Sequence, residues 1–147
     1  MRELTIRKGS AEDIDAIAAL EQKCFASPWS RESLYHDLAE NQLSTYFVAE
    51  LQGQIVGYVG IWAIMDEGHI NNVAVSPSYR RQHIGSALIA AMLRSTEEAG
   101  IKSHTLEVRA GNRAAKGLYE NYGFKEAGVR KGYYEDNGED GIIMWRY

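Results

Sequence analysis

Residues 73–87 join a predicted strand to a predicted helix and read Val-Ala-Val-Ser-Pro-Ser-Tyr-Arg-Arg-Gln-His-Ile-Gly-Ser-Ala. Ser76-Pro77 predicts the end of the strand, which begins near residue 69. Apolar residues then recur at helical spacing, which predicts a helix over residues 82–99. The first amides of a helix lack partners within it and carry the positive end of its dipole. Small residues at 85–87 would let a pyrophosphate approach these amides, so the segment predicts a phosphate-binding loop.

Taken alone, this loop pattern is weak evidence, because a glycine near a helix start is common by chance. The alternative is an ordinary capped helix that follows a basic turn. A second unit supports the phosphate loop: residues 106–124 again run from a short strand into a helix. Asn112 is its predicted cap and Gly123 its predicted end.

Hydrophobic periodicity predicts the remaining elements outward from these two units. The predicted order is β-α-α-β-β-β-α-β-α-β-β, which indicates an α/β sheet that is partly antiparallel. Ser10 is a predicted helix cap with Asp13 three positions later, and Ser30 or Ser33 caps a second helix. The predicted strands cover residues 4–8, 45–51, 55–64, 69–75, 105–108, 124–129 and 142–145. The predicted helices cover residues 10–24, 30–41, 82–99 and 112–123.

Composition indicates one globular domain over residues 1–147, since 45% of the chain is hydrophobic and 24% is charged. A net charge of −4 argues against nucleic-acid binding. The single cysteine, Cys24, rules out an intramolecular disulfide and favours a cytosolic location, with a buried structural thiol as its role. We expect no signal peptide and no membrane span, because the apolar stretches are short.

The second unit contains the pattern Asn-x-x-Ala-x-x-Leu-Tyr-x-x-x-Gly-Phe over residues 112–124. Together with the phosphate loop, this pattern resembles the GCN5-related N-acetyltransferase (GNAT) superfamily over almost the whole chain. Within the superfamily the chain is most similar to the RimI type, the ribosomal-protein-alanine N-acetyltransferases. Three stretches carry this finer likeness: residues 25–30, residues 106–109, and residues 130–134 followed by 139–144.

The resemblance implies a GNAT fold, in which about four helices flank a mixed, twisted sheet with antiparallel hairpins and a splayed parallel strand pair. It also implies acetyl-CoA as co-substrate, bound between the strand that ends at Val75 and the strand at residues 106–108. The implied contacts are backbone pairing with the pantetheine arm, amides around the pyrophosphate, and side chains beside the cofactor arm. The residues implied to pair with the pantetheine arm are Val73, Ala74 and Val75. The amides implied to surround the pyrophosphate belong to Arg81, Gln82, His83, Ile84, Gly85 and Ser86. The side chains implied to lie beside the cofactor arm are those of Asn112 and Tyr119. His83 departs from the family pattern, because relatives often have glycine there.

The resemblance assigns the two catalytic roles to Glu107 and Tyr119. Glu107 is the candidate base for the acceptor amine, directly or through a water, and Tyr119 is the candidate acid for the CoA thiolate. Without the motif, Glu107 would be a solvated strand carboxylate and Tyr119 a half-buried packing aromatic. Glu67 and His69 are rival bases, because they are predicted to alternate with Asn71 and Val73 on one face of their strand.

We expect no metal site, because Asp66, Glu67 and His69 do not have the spacing of a hydrolytic zinc site and the other histidines lie in unrelated segments.

The acceptor side is less defined by the sequence. Trp29 could form an apolar wall for a peptide N-terminus or a staple beneath the second helix. Tyr133 and Tyr134 could bind the peptide backbone or pack on a strand face. The acidic residues 135–140 could attract the basic stretch of a ribosomal protein or form a solvated loop.

The predicted reaction is transfer of acetyl to the N-terminal alanine of a small-subunit ribosomal protein, by a monomer or weak homodimer in the cytoplasm. Two alternatives remain: an acetyltransferase for lysine or a small amine, and a non-catalytic acyl-CoA-binding module.

Overall fold

The computed structural model describes residues 3–25, 28–80 and 82–147. The element order agrees with the prediction. The strands are β1 (Leu4–Lys8), β2 (Ser44–Leu51), β3 (Gln54–Ile64), β4 (Glu67–Val75), β5 (Ser103–Arg109), β6 (Lys125–Tyr134) and β7 (Glu139–Arg146). The helices are α1 (Ile14–Cys24), α2 (Arg31–Tyr35), α3 (Ile84–Glu98) and α4 (Arg113–Asn121). A π-helical turn at His36–Glu40 extends α2, and 3₁₀ turns lie at Ala11–Asp13 and Pro77–Tyr79. Within the described residues, no helix is long and apolar enough to cross a membrane.

Seven strands form one sheet in the order β1-β2-β3-β4-β5-β7-β6. The β4–β5 pair is parallel, and the pairs on either side of it are antiparallel. Pairing of β4 with β5 covers only Glu67–His69 against residues 103–105. Beyond this point the two strands diverge, which confirms the predicted mixed sheet with a splayed parallel pair.

A β-bulge in β4 lies where this divergence begins. Gly60 pairs with Asn72 and Ile61 with Ile70, so Asn71 is an extra residue. An extra residue reverses the alternation of side chains along a strand. Val73 therefore packs against the cluster beneath α3, on the same face as Ile70. The prediction that Val73 shares a face with His69 was wrong for this reason.

Two hydrophobic clusters pack on opposite faces of the sheet. The cluster beneath α3 and α4 includes Leu88, Met92, Leu106, Val108, Tyr119, Phe124 and Met144. The cluster beneath α1 and α2 includes Ile17, Leu20, Leu34, Tyr46, Val48, Tyr58 and Ala74. The three layers hold β4 and β5 between two cores, so the gap between these strands has rigid walls.

Local signals lie near three of the helix starts. The Ser10 N–H donates to Asp13 Oδ2 at 2.9 Å at the start of the 3₁₀ turn that leads into α1, so α1 begins at Ile14 and not at the predicted residue 10. Ser30, rather than Ser33, caps α2 by accepting the Ser33 N–H at 3.1 Å. Asn112 caps α4 by accepting the Ala115 N–H at 3.0 Å. The α3 helix differs from its prediction, because it begins at Ile84 and not at residue 82.

Candidate active site

The gap between β4 and β5 exposes backbone groups on one edge of β4. The Ser76 N–H donates to the Val56 carbonyl on the β3 side at 2.7 Å. Adjacent residues of a strand direct their backbone groups to opposite edges. Val73 and Val75 therefore direct theirs toward the gap, whereas Ala74 directs its own toward β3, where it pairs with Tyr58. Of the three predicted backbone contacts, the geometry favours Val73 and Val75.

The Val75 carbonyl already accepts two hydrogen bonds at the open end of the gap. It accepts the Cys24 thiol at 3.4 Å and the Arg80 Nε–H at 3.2 Å. Cys24 is thus half-buried and joins α1 to the end of β4, in agreement with a structural role. The backbone of Val73 lies deeper in the gap and is the better candidate for binding a carbonyl oxygen.

The first turn of α3 lies beside this gap and presents free amides. The first backbone bond within α3 runs from the Ala87 N–H to the His83 carbonyl at 3.0 Å. The amides of Ile84, Gly85 and Ser86 precede it and so lack intrahelical acceptors. His83 occupies the N-cap position but its side chain makes no capping hydrogen bond within the described chain. This helix end can bind an anion.

Gly85 leaves room at this helix end. An added Cβ would lie 3.4 Å from Leu118 Cδ2 and 3.8 Å from Val75 Cγ2, which is ordinary contact. The fold therefore does not require a glycine here, and the space suits a ligand that approaches the amides closely. Gln82 and His83 are exposed next to it, and Ile84 is buried. Arg81, also predicted to bind the pyrophosphate, lies outside the described residues.

The α4 helix packs against this same turn. The Tyr122 hydroxyl lies 2.6 Å from Ser86 Oγ and donates to the Ser86 carbonyl at 3.0 Å. Tyr119, one turn earlier, is 7% exposed and meets Phe124 edge-on at 5.8 Å. Burial raises the pKa of the Tyr119 phenol, and Tyr134 raises it further. Tyr119 is therefore a protonated phenol at neutral pH, on the same side of the sheet as the α3 N-terminus.

Glu107 lies on the opposite face of β5. Its strand neighbours Leu106 and Val108 point into the cluster beneath α3 and α4, so Glu107 points away from it. Glu107 Oε1 accepts the Arg130 Nε–H at 3.2 Å, and 30% of the Glu107 side chain is exposed. A carboxylate and a phenol thus flank the diverging edge of β5 from its two faces.

Tyr134 lies near both groups. Its ring is half-buried at the end of β6, and its pKa is raised to about 12 by burial and by Tyr133, against the lowering effect of Arg109; Glu107 also raises this pKa. Tyr133 contacts the Tyr134 ring at 5.0 Å and is 47% exposed. The Tyr134 ring lies beside Arg109, the last residue of β5.

Trp29 lies farther along the α1–α2 face. It lines a groove of about 320 Å³ together with Ser33, His36, Asp37, Asn41 and Trp62. The backbone N–H of Trp29 donates to Glu21 Oε1 at 2.8 Å. Trp29 packs against the cluster beneath α1 and α2. Both the wall and the staple interpretations of Trp29 are compatible with this position.

Sequence reasoning missed two polar groups that support the gap. Glu21 is 1% exposed and accepts the Tyr58 hydroxyl and, at 3.3 Å, the amide of Asn72 at the β4 bulge. Arg109 packs its guanidinium 4.1 Å from the centre of the Tyr134 ring. The available signal for Glu21 was its place after Ile14, Ile17 and Leu20 on the apolar side of α1.

The rival base His69 lies on β4 opposite Thr105, two residues before Glu107 along β5. His69 Nε2 is 3.4 Å from Glu67 Oε1, and the His69 ring meets Trp145 edge-on at 6.4 Å. The described part of the chain holds no group of three or more His, Cys, Asp or Glu residues arranged to bind a metal ion. Asn112 Oδ1 already accepts the Ala115 N–H at the start of α4, and the Asn112 NH₂ group can still donate to a ligand.

Comparison with known proteins gives related sequences over nearly the full length. A Bacillus subtilis (strain 168) protein, provisionally named a [ribosomal protein bS18]-alanine N-acetyltransferase, is 43% identical over 95% of this chain and 93% of its own length. The [ribosomal protein bS18]-alanine N-acetyltransferase of Escherichia coli (strain K12) is 37% identical over 95% of each chain.

A solved structure agrees with these sequence matches. The crystal structure of the ribosomal-protein-S18-alanine N-acetyltransferase from Escherichia coli superposes with a TM-score of 0.91 at 35% identity, over 98% of this chain and 93% of that one. The profile of the Acetyltransferase (GNAT) family matches residues 14–124, a range that contains the splayed strands, the α3 N-terminus and both candidate catalytic side chains. This chain therefore belongs to the GNAT family of acetyltransferases.

Proposed function

We propose that this protein transfers the acetyl group of acetyl-CoA to the N-terminal α-amino group of a protein, with the N-terminal alanine of a small-subunit ribosomal protein as acceptor. The observation that carries the transfer is the gap between β4 and β5, which lies beside the free amides of α3 and between a phenol and a carboxylate. The acceptor follows from relatives of 43% and 37% identity that are named for ribosomal protein bS18.

The chain offers a separate group for each part of the co-substrate. The amides of Ile84, Gly85 and Ser86 suit the pyrophosphate, because a helix N-terminus favours anions. The free edge of β4 suits the amide groups of the pantetheine arm, which would add to the sheet as a strand does. The Val73 N–H would then donate to the thioester carbonyl and stabilise the oxyanion that forms on attack.

The two flanking side chains account for the protons. An α-amino group has a pKa of about 8, so a fraction is already neutral at pH 7. Glu107 accepts the proton that the nitrogen loses as the new C–N bond forms. The C–S bond breaks, and Tyr119 donates its proton to the departing sulfur. Its raised pKa keeps that proton in place until the thiolate develops.

Substitution of the two groups tests the mechanism. We expect Glu107→Gln and Tyr119→Phe each to lower kcat by about 100-fold, because general acid–base catalysis is worth about 10²–10⁴-fold. The dissociation constant for acetyl-CoA, measured by calorimetry, should change less than about twofold, since neither change alters the α3 amides. Glu120→Gln and Tyr147→Phe are matched controls at exposed positions and should retain the wild-type kcat.

The acceptor is tested with two peptides. One begins with alanine, and the other has the same sequence with a blocked N-terminus and an internal lysine. We expect acetylation of the first alone. Preference for the second would make this a lysine acetyltransferase, and acetyl-CoA binding without turnover of either would make it a binding module.

A further inference from the structure

The end of the β6–β7 hairpin is poorly held by its own strand pairing. The register jumps from Arg130–Gly141 to Tyr134–Glu139, so residues 131–133 lie opposite a single residue of β7. Gly132 has a φ of +61°, and its N–H donates to Asp140 Oδ1 at 2.9 Å. The ladder is interrupted at residues 131–133 and resumes with the single pair Tyr134–Glu139, so side-chain contacts add to this pair in setting the position of the Tyr134 ring.

Arg109 supplies these contacts from β5. Its two terminal nitrogens donate to the two carboxylate oxygens of Asp136 at 3.2 and 2.9 Å. The same guanidinium donates to Glu139 Oε1 at 3.3 Å and lies 4.1 Å from the centre of the Tyr134 ring. Glu139 Oε2 accepts the Gly111 N–H at 2.7 Å. We name Arg109, Asp136 and Glu139 the arginine clamp; it ties the hairpin turn to β5 and to the start of α4.

The clamp is partly exposed, and its bidentate geometry distinguishes it from an ordinary surface ion pair. The exposed side-chain fractions are 33% for Arg109, 25% for Asp136 and 26% for Glu139. Arg109 holds the pKa of the Asp136 carboxyl below its usual value. The Gly111 N–H and then Arg109 do the same for the pKa of Glu139. Bidentate pairing of this kind fixes geometry as well as charge.

The clamp also revises the role of the acidic turn at residues 135–140. Asp136 and Glu139 both pair with Arg109, whose one positive charge offsets one of their two negative charges, and Asp140 accepts a backbone N–H of the same hairpin. These three carboxylates stabilise the turn itself.

We propose that Arg109 is a positioning residue of the acceptor site, which holds the Tyr134 ring beside Glu107 and Tyr119 and thereby sets where the acceptor amine approaches. This inference rests on the proposed function, because Tyr134 is a contact for the incoming peptide only if the protein is an N-terminal acetyltransferase. Arg109 itself touches no reacting atom. Its action through one ring distinguishes it from a residue that only stabilises the fold.

A double-mutant cycle tests this action. We expect Arg109→Gln and Tyr134→Leu each to lower kcat/KM for the alanine-starting peptide about tenfold, which corresponds to about 1.4 kcal/mol. The double variant should lose about as much as either single variant, because both remove the same placement of the ring. Arg109→Lys should fall between wild type and Arg109→Gln, since it keeps the charge without the bidentate fork. Losses that multiply to about 100-fold would overturn the proposal.

Two further measurements separate positioning from general damage. The KM for acetyl-CoA should stay within about twofold of wild type in every variant, and Arg94→Gln, at an exposed site on α3, should match wild type throughout. Asp136→Asn leaves Arg109 and Tyr134 intact and should lower kcat/KM for the peptide by a smaller factor in the same direction.

Amide hydrogen exchange gives a readout that does not depend on activity. Faster exchange over residues 131–140 in Arg109→Gln would support the clamp, and unchanged exchange would overturn it. Faster exchange with unchanged kcat/KM would overturn the link to the acceptor. If no peptide is acetylated by the wild-type protein, the proposed function fails, while the exchange data still decide whether the clamp holds the hairpin.

Discussion

His83 determines how the chain enters α3. Its φ of +62° and ψ of +21° lie in the left-handed region, which costs an L-residue about 1–2 kcal/mol. Histidine tolerates this region better than β-branched residues do. The conformation explains why glycine is frequent at this position in the family that the sequence resembles.

Replacing His83 tests the left-handed conformation. We expect His83→Gly to raise the free energy of unfolding by roughly 0.5–1 kcal/mol, because relief of the strain exceeds the extra entropy of a glycine in the unfolded chain. His83→Val should lower it by about 1–2 kcal/mol. Urea unfolding followed by tryptophan fluorescence measures both. Equal stability of the two variants would show that the turn adopts another conformation.

At the scale of elements, the α3 helix carries most of the proposed pyrophosphate contact. Its first turn has amides without intrahelical acceptors, and it contains Gly85, which the protein's own packing does not require. A glycine at this position favours ligand binding but lowers the stability of the helix.

Two glycine-to-alanine substitutions test whether Gly85 favours acetyl-CoA binding over helix stability. We expect Gly85→Ala to stabilise the free protein by roughly 0.5–1 kcal/mol, since a Cβ fits there and alanine favours helix. The same Cβ should weaken acetyl-CoA binding about tenfold, or about 1.4 kcal/mol. Gly117→Ala in α4, where nothing lies within 4 Å of an added Cβ, should stabilise without changing the dissociation constant. Calorimetric titration with acetyl-CoA measures the dissociation constants. Wild-type affinity in Gly85→Ala would show that Gly85 is not part of the cofactor site.

At the scale of the whole molecule, a buried carboxylate joins parts of the chain that are distant in sequence. Glu21 of α1 binds the Trp29 backbone, the Tyr58 hydroxyl of β3 and the Asn72 amide of β4. Burial of Tyr58 and then the nearby Glu21 carboxylate raise the pKa of the Tyr58 phenol, so the phenol keeps its proton at neutral pH. The contact with Asn72 stabilises the bulge at which β4 leaves β5.

Removal of this carboxylate should therefore destabilise the entire domain. We expect Glu21→Ala to lower the free energy of unfolding by roughly 2–4 kcal/mol, because one buried and two partly buried donors lose their acceptor. Glu21→Gln keeps an acceptor oxygen and should cost about 1 kcal/mol. Glu12→Ala, at an exposed site, should stay within about 0.5 kcal/mol of wild type. A loss in Glu21→Ala no larger than in Glu12→Ala would contradict this account.

Several parts of the fold and site were predictable because their causes are local. Ser30 and Asn112 were recognisable as helix caps, since each side chain accepts the amide N–H of the residue three positions later. The order of strands and helices followed from apolar spacing, and small residues at a helix start indicated the candidate phosphate loop. The likeness to the GNAT family over residues 106–124 then directed attention to Glu107 and Tyr119.

The amino-acid sequence by itself thus determined the order of elements, the family and most candidate residues. Only the tertiary structure decided which backbone groups face the gap, because the bulge at Asn71 depends on the pairing of β4 with β3. It also decided that Glu107 meets Arg130 and that Arg109 holds Tyr134, since these contacts join strands that are far apart along the chain. Periodicity reports the neighbours of a residue within one helix or strand, and contacts across the sheet arise only when separate strands are brought together.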